Sequence, residues 1–405
     1  MPKQSTPALN YLSLISDRIA AIRSDLPHLI KLGQKMADHL LAGGDIFTPP
    51  IAPFWPNEFG NRAGGMMGIR SLDRIDPKNK NNVAYFAIPA SKTWNAKPDE
   101  KLRKLIDSTA NLFVIGRYED LQNVAPKSRF AGFTGGAPTD AGLYATGPHK
   151  PLASLREFDI FVRGWITAGE MIAACTRAGR MPIIWMSVWL EGALPRNAHF
   201  FTHDNLREPW DTPLFHHGQY VPPLAPGRVA NEFLAELQMI HTRLVDQAPA
   251  LATAGKWLTA AARAGKRTWT VAVGHSYPEL LELSPESHTY PIHWGQSLSD
   301  LSKAIPAEYG AGDVALHFGY APVDNTNVQG LLNRGLKLIH TSPYGNAMTP
   351  LKHKNFLYFD LPWRPADATI DIPGYSVRIL PMSSSAQTMA LFSILSEHAE
   401  GMGWK

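Results

Sequence analysis

The sequence lacks most of the features that would assign it at once to a specialised class of protein. It has one cysteine, Cys175, among 405 residues, which excludes an internal disulfide framework and fits a reducing compartment. Its formal net charge is only +4, and the short basic run 78–80 has no interleaved aromatic residues, so we expect no nucleic-acid partner. The longest apolar run, 181–190, is about half of what a bilayer span needs, and no apolar segment follows Met1 as a secretion signal would. These absences predict a soluble, cytoplasmic protein without a membrane partner.

Length and composition indicate two globular domains. A chain of 405 residues exceeds one ordinary hydrophobic core, and 44% hydrophobic with 18% charged residues is typical of folded proteins. Apolar residues recur at helical spacing over 8–42 and again over 231–264. Between the halves, residues 192–230 hold six prolines and have neither helix nor strand periodicity. We therefore predict a first domain over 8–191, a linker over 192–230 and a second domain over 231–400.

The two halves repeat a pattern of helices and strands, and such a repeat constrains the fold more than any single motif does. Each helical arm ends at a glycine before a strand. Residues 159–165 and 313–320 resemble strands, and each leads through a helical stretch to a further strand, at 181–187 and 336–342. This alternation predicts the α/β class, with two doubly wound domains that each have a parallel sheet flanked by helices in three layers.

Under this pairing the halves differ in length. Gly43 to Gly179 spans 136 positions, whereas Gly265 to Gly335 spans only 70. The difference of 66 positions predicts an insertion in the first half, which we place near 72–150. That stretch has strand-like runs of its own and a Gly/Pro-rich end that is typical of a surface loop.

Polar residues follow the predicted strands of the second half, where open parallel sheets bind their ligands. Gly274, His275 and Ser276 follow the first of these strands, and Glu282 lies in the helix after them. The other candidates offer hydroxyl or amide groups at strand ends or helix starts. They are Asn325, Thr326, Thr341, Ser342, Ser383, Ser384 and Ser385. Together these residues predict a cradle for a phosphate or a polyol.

Each of these residues also has a simpler interpretation. Asn325 and Thr326, like the serines at 383–385, could serve only as helix N-caps. His275 could be a hydrogen-bonded loop histidine, and Glu282 an exposed helix acid. Capping and phosphate binding use the same backbone amides, so the two interpretations of the helix starts are compatible.

The strand with Gly274-His275-Ser276 and the later run Pro381-Met382-Ser383-Ser384-Ser385-Ala386-Gln387 resemble sugar isomerase (SIS) domains. In the first half, Glu58-Phe59-Gly60-Asn61-Arg62-Ala63-Gly64-Gly65 is similar to the helix end of an uncharacterised branch of that family. Glu58 lies eleven positions past Phe47 and Glu282 eleven past Val271, so the two acids are equivalent between the halves. The resemblance covers the frame of both halves without the insertion and the linker.

The first half departs from the family pattern. Pro50-Ile51-Ala52 replaces the Gly-His-Ser turn, and the loop after the central strand becomes 164–169 there and 320–327 in the second half. Thr326 is the only serine or threonine in the latter loop. The ligand chemistry is therefore expected in the second half, with the first as its partner.

The resemblance implies a phosphorylated sugar as ligand, held at the strand ends between the two halves, without a cofactor. It also implies that the two domains pair within one chain, and it leaves further association into a homodimer open. Aldose–ketose isomerisation needs a base and a ring-opening group, for which Glu282 or Glu58 and His275 are the candidates. The histidines near the linker lack the spacing of a structural zinc site, so no metal is expected.

Three functions fit these observations. The first is a phosphosugar isomerase, the second a non-catalytic phosphosugar sensor, and the third a structural protein that keeps the pairing fold without a ligand. We prefer phosphosugar binding, and the sequence alone leaves catalysis undecided.

Overall fold

The computed structural model describes residues 6–51, 54–60, 62–70, 76, 78–88, 100–138, 141–143, 153–200, 212–272, 292–294, 305, 307–319, 325–343, 351–364 and 366–404. In chain order, its helices are α1 (Pro7–Ser24), α2 (Leu26–Leu41), α3 (Phe54–Gly60), α4 (Glu100–Asp107), α5 (Leu155–Arg177), α6 (Ala193–Ala198), α7 (Arg228–Asp246), α8 (Ala248–Arg263), α9 (Asn325–Asn333) and α10 (Ser383–Met402). Its strands are β1 (Ile46–Phe47), β2 (Val83–Ala87), β3 (Asn111–Ile115), β4 (Phe130–Phe133), β5 (Thr268–Ala272), β6 (Ile292–Trp294), β7 (Val314–Phe318), β8 (Lys337–Ser342), β9 (Phe356–Asp360), β10 (Ala368–Ile370) and β11 (Ile379–Pro381).

Each half begins with a pair of helices that a proline separates. Pro27 and Pro249 are the second residues of α2 and α8, where a missing N–H is harmless but the preceding helix cannot continue. The pairs end at Gly43 and Gly265, both at positive φ (88° and 61°). The helical arms predicted from the sequence are therefore confirmed, each as two helices.

Two parallel sheets follow the helix pairs, one in each half. The first sheet has the order β1-β2-β3-β4, and Arg70 forms a further parallel bridge with Phe47 on the outer side of β1. The second sheet has the order β6-β5-β7-β8-β9. The two orders match if the bridge at Arg70 takes the place of β6. The predicted α/β class with parallel sheets flanked by helices is confirmed.

A long helix follows each sheet and lies in the core. Nearly every residue of α5 is buried, as are the first fourteen of α10, from Ser383 to Ser396. One cluster of buried apolar side chains extends from α1 through both halves to α10. The core is therefore shared between the halves.

The structure corrects two strand assignments made from the sequence. Residues 159–165 belong to α5, and 181–187 form only isolated bridges, Pro182 with Phe215 and Ile184 with Met66. The apolar run 160–162 lies between Asp159 and Arg163, whose charges are buried in ion pairs with Arg18 and Asp25, and an apolar run this short does not separate a buried helix from a buried strand.

The predicted insertion at 72–150 also has a different place in the fold. This stretch holds β2, β3 and β4, which are three of the four described strands of the first sheet. The apparent surplus arose because α5 was paired with the wrong element. When α5 is paired with α10, Gly43 to Leu155 is 112 positions and Gly265 to Ser383 is 118, so the halves have similar lengths. The domain boundaries at 191 and 231 remain a prediction, and α6 lies in the predicted linker.

The halves are joined by a reciprocal pair of helix caps. Glu170 of α5 accepts hydrogen bonds from the backbone N–H groups of Gly227 (2.9 Å) and Ala230 (3.0 Å), at the start of α7. Glu397 of α10 accepts one from Ala8 (2.9 Å), at the start of α1. Each half thus caps the first helix of the other with a carboxylate, which the positive end of a helix favours.

Among the helices that the structure describes, none combines the length and the apolar character that a membrane span requires.

Candidate functional site

The strand order of the second sheet marks one position at its carboxyl edge. The connection from β5 leads outward to β6, and the chain then returns to β7 on the other side of β5. In open α/β sheets a crevice forms where the strand order reverses in this way, and ligands bind there. The carboxyl ends beside this crevice are Ala272 of β5 and Phe318 of β7.

Several predicted site residues adjoin this crevice in the chain. Gly274, His275 and Ser276 follow β5 directly, but they and Glu282 lie outside the described residues. Asn325 and Thr326 begin α9, the helix after β7, and both are exposed. Their position at a helix start fits capping and anion binding equally.

Thr341 and Ser342 end β8, the strand beside β7, and both are buried. The Thr341 hydroxyl has no hydrogen-bond partner among the described residues. The Tyr358 hydroxyl donates to the Ser342 carbonyl (3.2 Å) and lies 3.3 Å from the Ser342 hydroxyl. Burial raises the pKa of Tyr358 to about 12, so this phenol stays neutral in the physiological range.

The structure brings Glu58 together with the serines at 383–385, which are more than 300 positions away in the chain. Arg62, four positions after Glu58, lies between them. Its guanidinium bonds to the Glu58 carboxylate and to the hydroxyls of Ser383 and Ser384. It also donates twice to the Asp367 carboxylate, at 3.0 Å from Nε and 2.9 Å from Nη2. We call these five residues the Arg62 network.

The Arg62 network is fully enclosed. The exposed fraction of each of its residues is 3% or less. Glu58 accepts from Trp165 Nε1 (2.7 Å) with one carboxylate oxygen and from the Ser384 hydroxyl (3.0 Å) with the other. Asp367 accepts from the backbone N–H of Ser383 (3.0 Å), which fixes the start of α10. The network therefore ties the first half to the first turn of α10.

This arrangement bears on Glu58 as the predicted base. Both of its oxygens are already engaged, one by Trp165 and the other by Arg62 and Ser384. A general base must reach the proton that it removes. In this geometry Glu58 positions Arg62 and α10, and a role as base would require the network to open. Ser385, the third serine, has a hydroxyl without a partner among the described residues.

Backbone strain is concentrated beside the Arg62 network. Ala366, Asp367 and Leu380 have φ values of 68°, 77° and 60°, a region that side chains other than glycine rarely adopt. Gly64 packs against the same segment, because a Cβ there would lie 2.8 Å from Cβ of Ala368 and 2.9 Å from N of Leu380. Strain of this kind persists where surrounding contacts enforce it, and it is common at functional sites.

An open cavity of about 210 Å³ adjoins the strained segment. Its lining includes Ala366 and Ala368, on either side of Asp367, together with Trp185, Ser187 and Arg378. It is smaller than the clefts that usually hold drug-sized ligands.

Sequence analysis did not assign four residues that the structure makes prominent. Arg62 was part of a quoted motif, and its spacing of four from Glu58 on a helix could have indicated an ion pair. Asp367 gave no such signal. His317 and His340 are both the fourth residue of neighbouring strands, which places them side by side. That register could be read only after the strand pairing was known.

Within the described part of the chain, no group of three metal-ligating side chains is close enough to hold an ion. His216, one of the histidines near the linker, instead contacts the Tyr375 hydroxyl at 2.8 Å, and burial lowers its pKa to about 4.

Comparisons with known proteins give matches to solved structures only. No family model and no curated protein matches the chain. The fold is similar to the C-terminal domain of glucosamine-fructose-6-phosphate aminotransferase from Francisella tularensis, with 10% identity and a TM-score of 0.47 over 100% of this chain and 98% of that one. It is also similar to a candidate phosphosugar isomerase from Silicibacter pomeroyi DSS-3 (8% identity, TM-score 0.41, 99% of both chains). A candidate sugar-binding protein from Salmonella typhimurium LT2 has 8% identity and a TM-score of 0.41, over 96% of this chain and 98% of that one.

With TM-scores below 0.5, the likeness carries no argument about function. The proposals below therefore rest on this chain's own residues.

Proposed function

We propose that the protein binds a phosphorylated sugar at the carboxyl edge of the second sheet, in the crevice between the ends of β5 and β7. The observation that carries this proposal is the reversal of strand order at these two strands. It gives a physical reason for residues from two separate segments, 274–276 and 325–326, to serve one ligand.

The start of α9 is the proposed phosphate contact. Its first residues, Asn325 and Thr326, are exposed and offer an amide and a hydroxyl at the start of a helix. Helix N-termini attract anions through these N–H groups and through the helix dipole. The Gly274-His275-Ser276 turn would complete the contact from the β5 side.

Isomerisation of the bound sugar is the finer part of the proposal. Glu282 and His275 remain the proposed base and ring-opening group, and they come from the sequence alone. The enclosure of Glu58 in the Arg62 network favours a positioning role for that residue. It also favours the second candidate function, a binding protein without turnover. We further propose a cytoplasmic location, because a chain with the single cysteine Cys175 forms no internal disulfide and fits a reducing compartment.

Thermal shift with glucose 6-phosphate, fructose 6-phosphate and glucosamine 6-phosphate tests the binding proposal. We expect at least one to raise the melting temperature, since a ligand that binds only the folded state stabilises it. Free glucose and inorganic phosphate serve as controls for the two parts of the ligand. No shift with any sugar phosphate would contradict the proposal.

The position of the binding site is tested with two matched variants. Thr326→Val removes an exposed helix hydroxyl at the proposed site, and Thr242→Val removes one on α7. We expect Thr326→Val to weaken binding about tenfold, as the loss of one hydrogen bond to a charged group would, and Thr242→Val to leave it unchanged. Equal affinities of the two variants would place the ligand elsewhere.

A further inference from the structure

The second sheet contains a hydrogen-bonded pair of buried histidines. His317 of β7 and His340 of β8 are register partners, and both side chains have no exposed surface. Their Nδ1 atoms are 2.7 Å apart, and their ring centroids are 4.8 Å apart with planes inclined by 13°. The centroid separation exceeds the nitrogen separation by about the sum of two ring radii. The rings therefore meet edge to edge, in line, as an N–H···N hydrogen bond requires.

This contact fixes the protonation of the pair. One Nδ1 must carry the shared proton and the other must accept it, so the two neutral rings are in opposite tautomers. The ring that donates has a bare Nε2, and the ring that accepts has an Nε2–H. The pair thus offers one acceptor and one donor at its outer ends. Burial disfavours a second proton, because it lowers the pKa of both imidazoles.

Neither Nε2 has a hydrogen-bond partner among the described residues. Buried polar atoms in native proteins are nearly always paired, and each exception calls for an explanation such as a water or a ligand. Two such exceptions on one bonded pair indicate that the outer nitrogens serve a further group.

The pair lies against the carboxyl edge of the sheet. A Cβ on Gly319, the residue after β7, would lie 2.8 Å from Cε1 of His317 and 3.2 Å from Cε1 of His340. Cε1 lies between Nδ1 and Nε2 in each ring, so the Cε1 edges of both rings face this end of β7, with Nδ1 of His317 at 3.3 Å from the same Cβ position and each unpartnered Nε2 one bond beyond Cε1. That strand end is one side of the crevice where we place the ligand. Gly319 is needed here, since any side chain would collide with the rings.

We propose that His317 and His340 form a two-imidazole proton relay that serves the crevice between β5 and β7. This inference rests on the proposed function and deepens it, because it assigns the bound sugar phosphate to a proton-transfer reaction. The relay also supplies one hydrogen-bond donor and one acceptor for hydroxyl groups of the sugar. A neutral pair of histidines suits these hydroxyls better than it suits the charged phosphate.

The relay takes up one proton and releases one. The bare Nε2 of the first ring takes a proton from the ligand, and that ring passes its Nδ1 proton across to Nδ1 of the second. The second ring then releases its Nε2 proton to the ligand or to water. The rings exchange tautomers, the net charge is unchanged, and no oxidant or reductant is required. Aldose–ketose isomerisation needs such a paired removal and delivery of a proton.

NMR of the ¹⁵N-histidine-labelled protein tests the relay without a ligand. We expect the signals of one pair of rings to show a coupling across the Nδ1–H···Nδ1 bond, with one ring protonated at Nδ1 and the other at Nε2. His317→Gln should remove the coupling, whereas His217→Gln, at an exposed position, should leave it. The same tautomer in both rings, or no coupling in the native protein, would overturn the relay.

Deuterium exchange tests whether the relay transfers protons to and from the bound sugar phosphate. In D₂O, we expect the native protein to introduce carbon-bound deuterium into glucose 6-phosphate or fructose 6-phosphate. His317→Gln should slow this by about 100-fold, the usual contribution of a positioned acid–base group, with the thermal shift retained. His217→Gln should exchange at the native rate.

The outcomes separate the two proposals. No thermal shift with any sugar phosphate would refute the proposed function, and the NMR result would then decide the relay alone. Binding without deuterium uptake, or uptake at equal rates in His317→Gln, would refute the relay and leave the binding proposal standing.

Discussion

Buried charged residues lie where the two halves meet. Arg62 is the one cation of its network and faces two carboxylates, those of Glu58 and Asp367. A buried charge is tolerated only when it is paired and hydrogen-bonded, and here every member supports the others.

Replacing Arg62 by methionine should lower the free energy of unfolding by about 3–5 kcal/mol, because two buried carboxylates lose their cation. Urea unfolding followed by circular dichroism measures this. Arg243→Met is the matched control: its pair with Asp360 (3.1 Å) is on the surface, with half of the Arg243 side chain exposed, so a loss of less than about 1 kcal/mol is expected. Similar losses in both variants would contradict the central place of Arg62.

The histidine pair makes stability depend on pH. Burial lowers the pKa of His340 to about 3 and that of His317 well below its ordinary value. Below pH 6.5 the unfolded chain therefore binds protons that the folded chain does not. Stability should be fully present above pH 6.5 and fall as the pH drops toward 3, by up to about 1.4 kcal/mol per pH unit for each histidine.

Urea unfolding at pH 7, 6 and 5 checks this slope. A His317→Gln, His340→Gln double variant should show a flatter dependence, while His216 contributes equally to both proteins. An unchanged slope in the double variant would show that these rings are not the source.

Only some of these residues could be singled out from the sequence. Glu58 and the serines at 383–385 could be singled out because their residue types follow predicted elements. Their meeting at Arg62 could not, since it depends on contacts over 300 positions away in the chain. The histidine pair was hidden for a similar reason, because two residues 23 positions apart become neighbours only through strand register.

At the scale of the elements, the duplication shows itself in how the helices pack. Gly33 of α2 contacts α5 so closely that a Cβ would lie 2.7 Å from N of Met171 and 2.8 Å from O of Thr167. Gly255 of α8 meets α10 in the same way, with a Cβ position 3.0 Å from N of His398. Each glycine lies ten positions before the glycine that ends its helix pair. This spacing, read from the sequence, could have indicated that α5 and α10 are equivalent.

Gly33→Ala should destabilise the protein by more than about 2 kcal/mol, because the colliding atoms are backbone and must move the helices apart. Gly330→Ala is the control on α9, where a Cβ would meet nothing within 4 Å. That substitution should stabilise by about 0.5–1 kcal/mol through helix propensity. Thermal and urea unfolding of the two variants should therefore shift in opposite directions, and a shift of the same sign in both would contradict the close packing.

The amphipathic helix pairs and the short buried strands were predictable from the sequence, and the buried helix α5 was not. The amphipathic pairs α1–α2 and α7–α8 follow from helical spacing, and β2, β3, β5, β7 and β8 from short apolar runs. The helix α5 is buried along nearly its whole length, and its charged residues, such as Asp159 and Arg163, form ion pairs with other elements, so its short apolar run resembled a strand. Its misassignment as a strand led in turn to the false insertion at 72–150.

At the scale of the whole molecule, the reciprocal caps and the shared core make the halves depend on each other. Glu170 and Glu397 satisfy helix starts that belong to the opposite half. A separated half would leave its long helix without part of its packing and its first helix without its cap.

Cutting the chain after Gly218, an exposed glycine, should yield fragments 1–218 and 219–405 that do not unfold cooperatively alone. Mixing them should restore a single urea transition with coincident fluorescence and circular dichroism signals. The intact chain is the reference for midpoint and slope. A fragment that unfolds alone with a sharp transition would show that its half is an independent domain.

The exchange of caps has a consequence for how such a chain can change. In a symmetric assembly of identical subunits, one mutation alters both copies of a site at once. Here each side of the junction is encoded separately, so one half can keep Gly274-His275-Ser276 while the other acquires Pro50-Ile51-Ala52 without penalty to the first. Because both halves are parts of one chain, a substitution in one half leaves the equivalent position of the other half unchanged, while each half still caps a helix of the other.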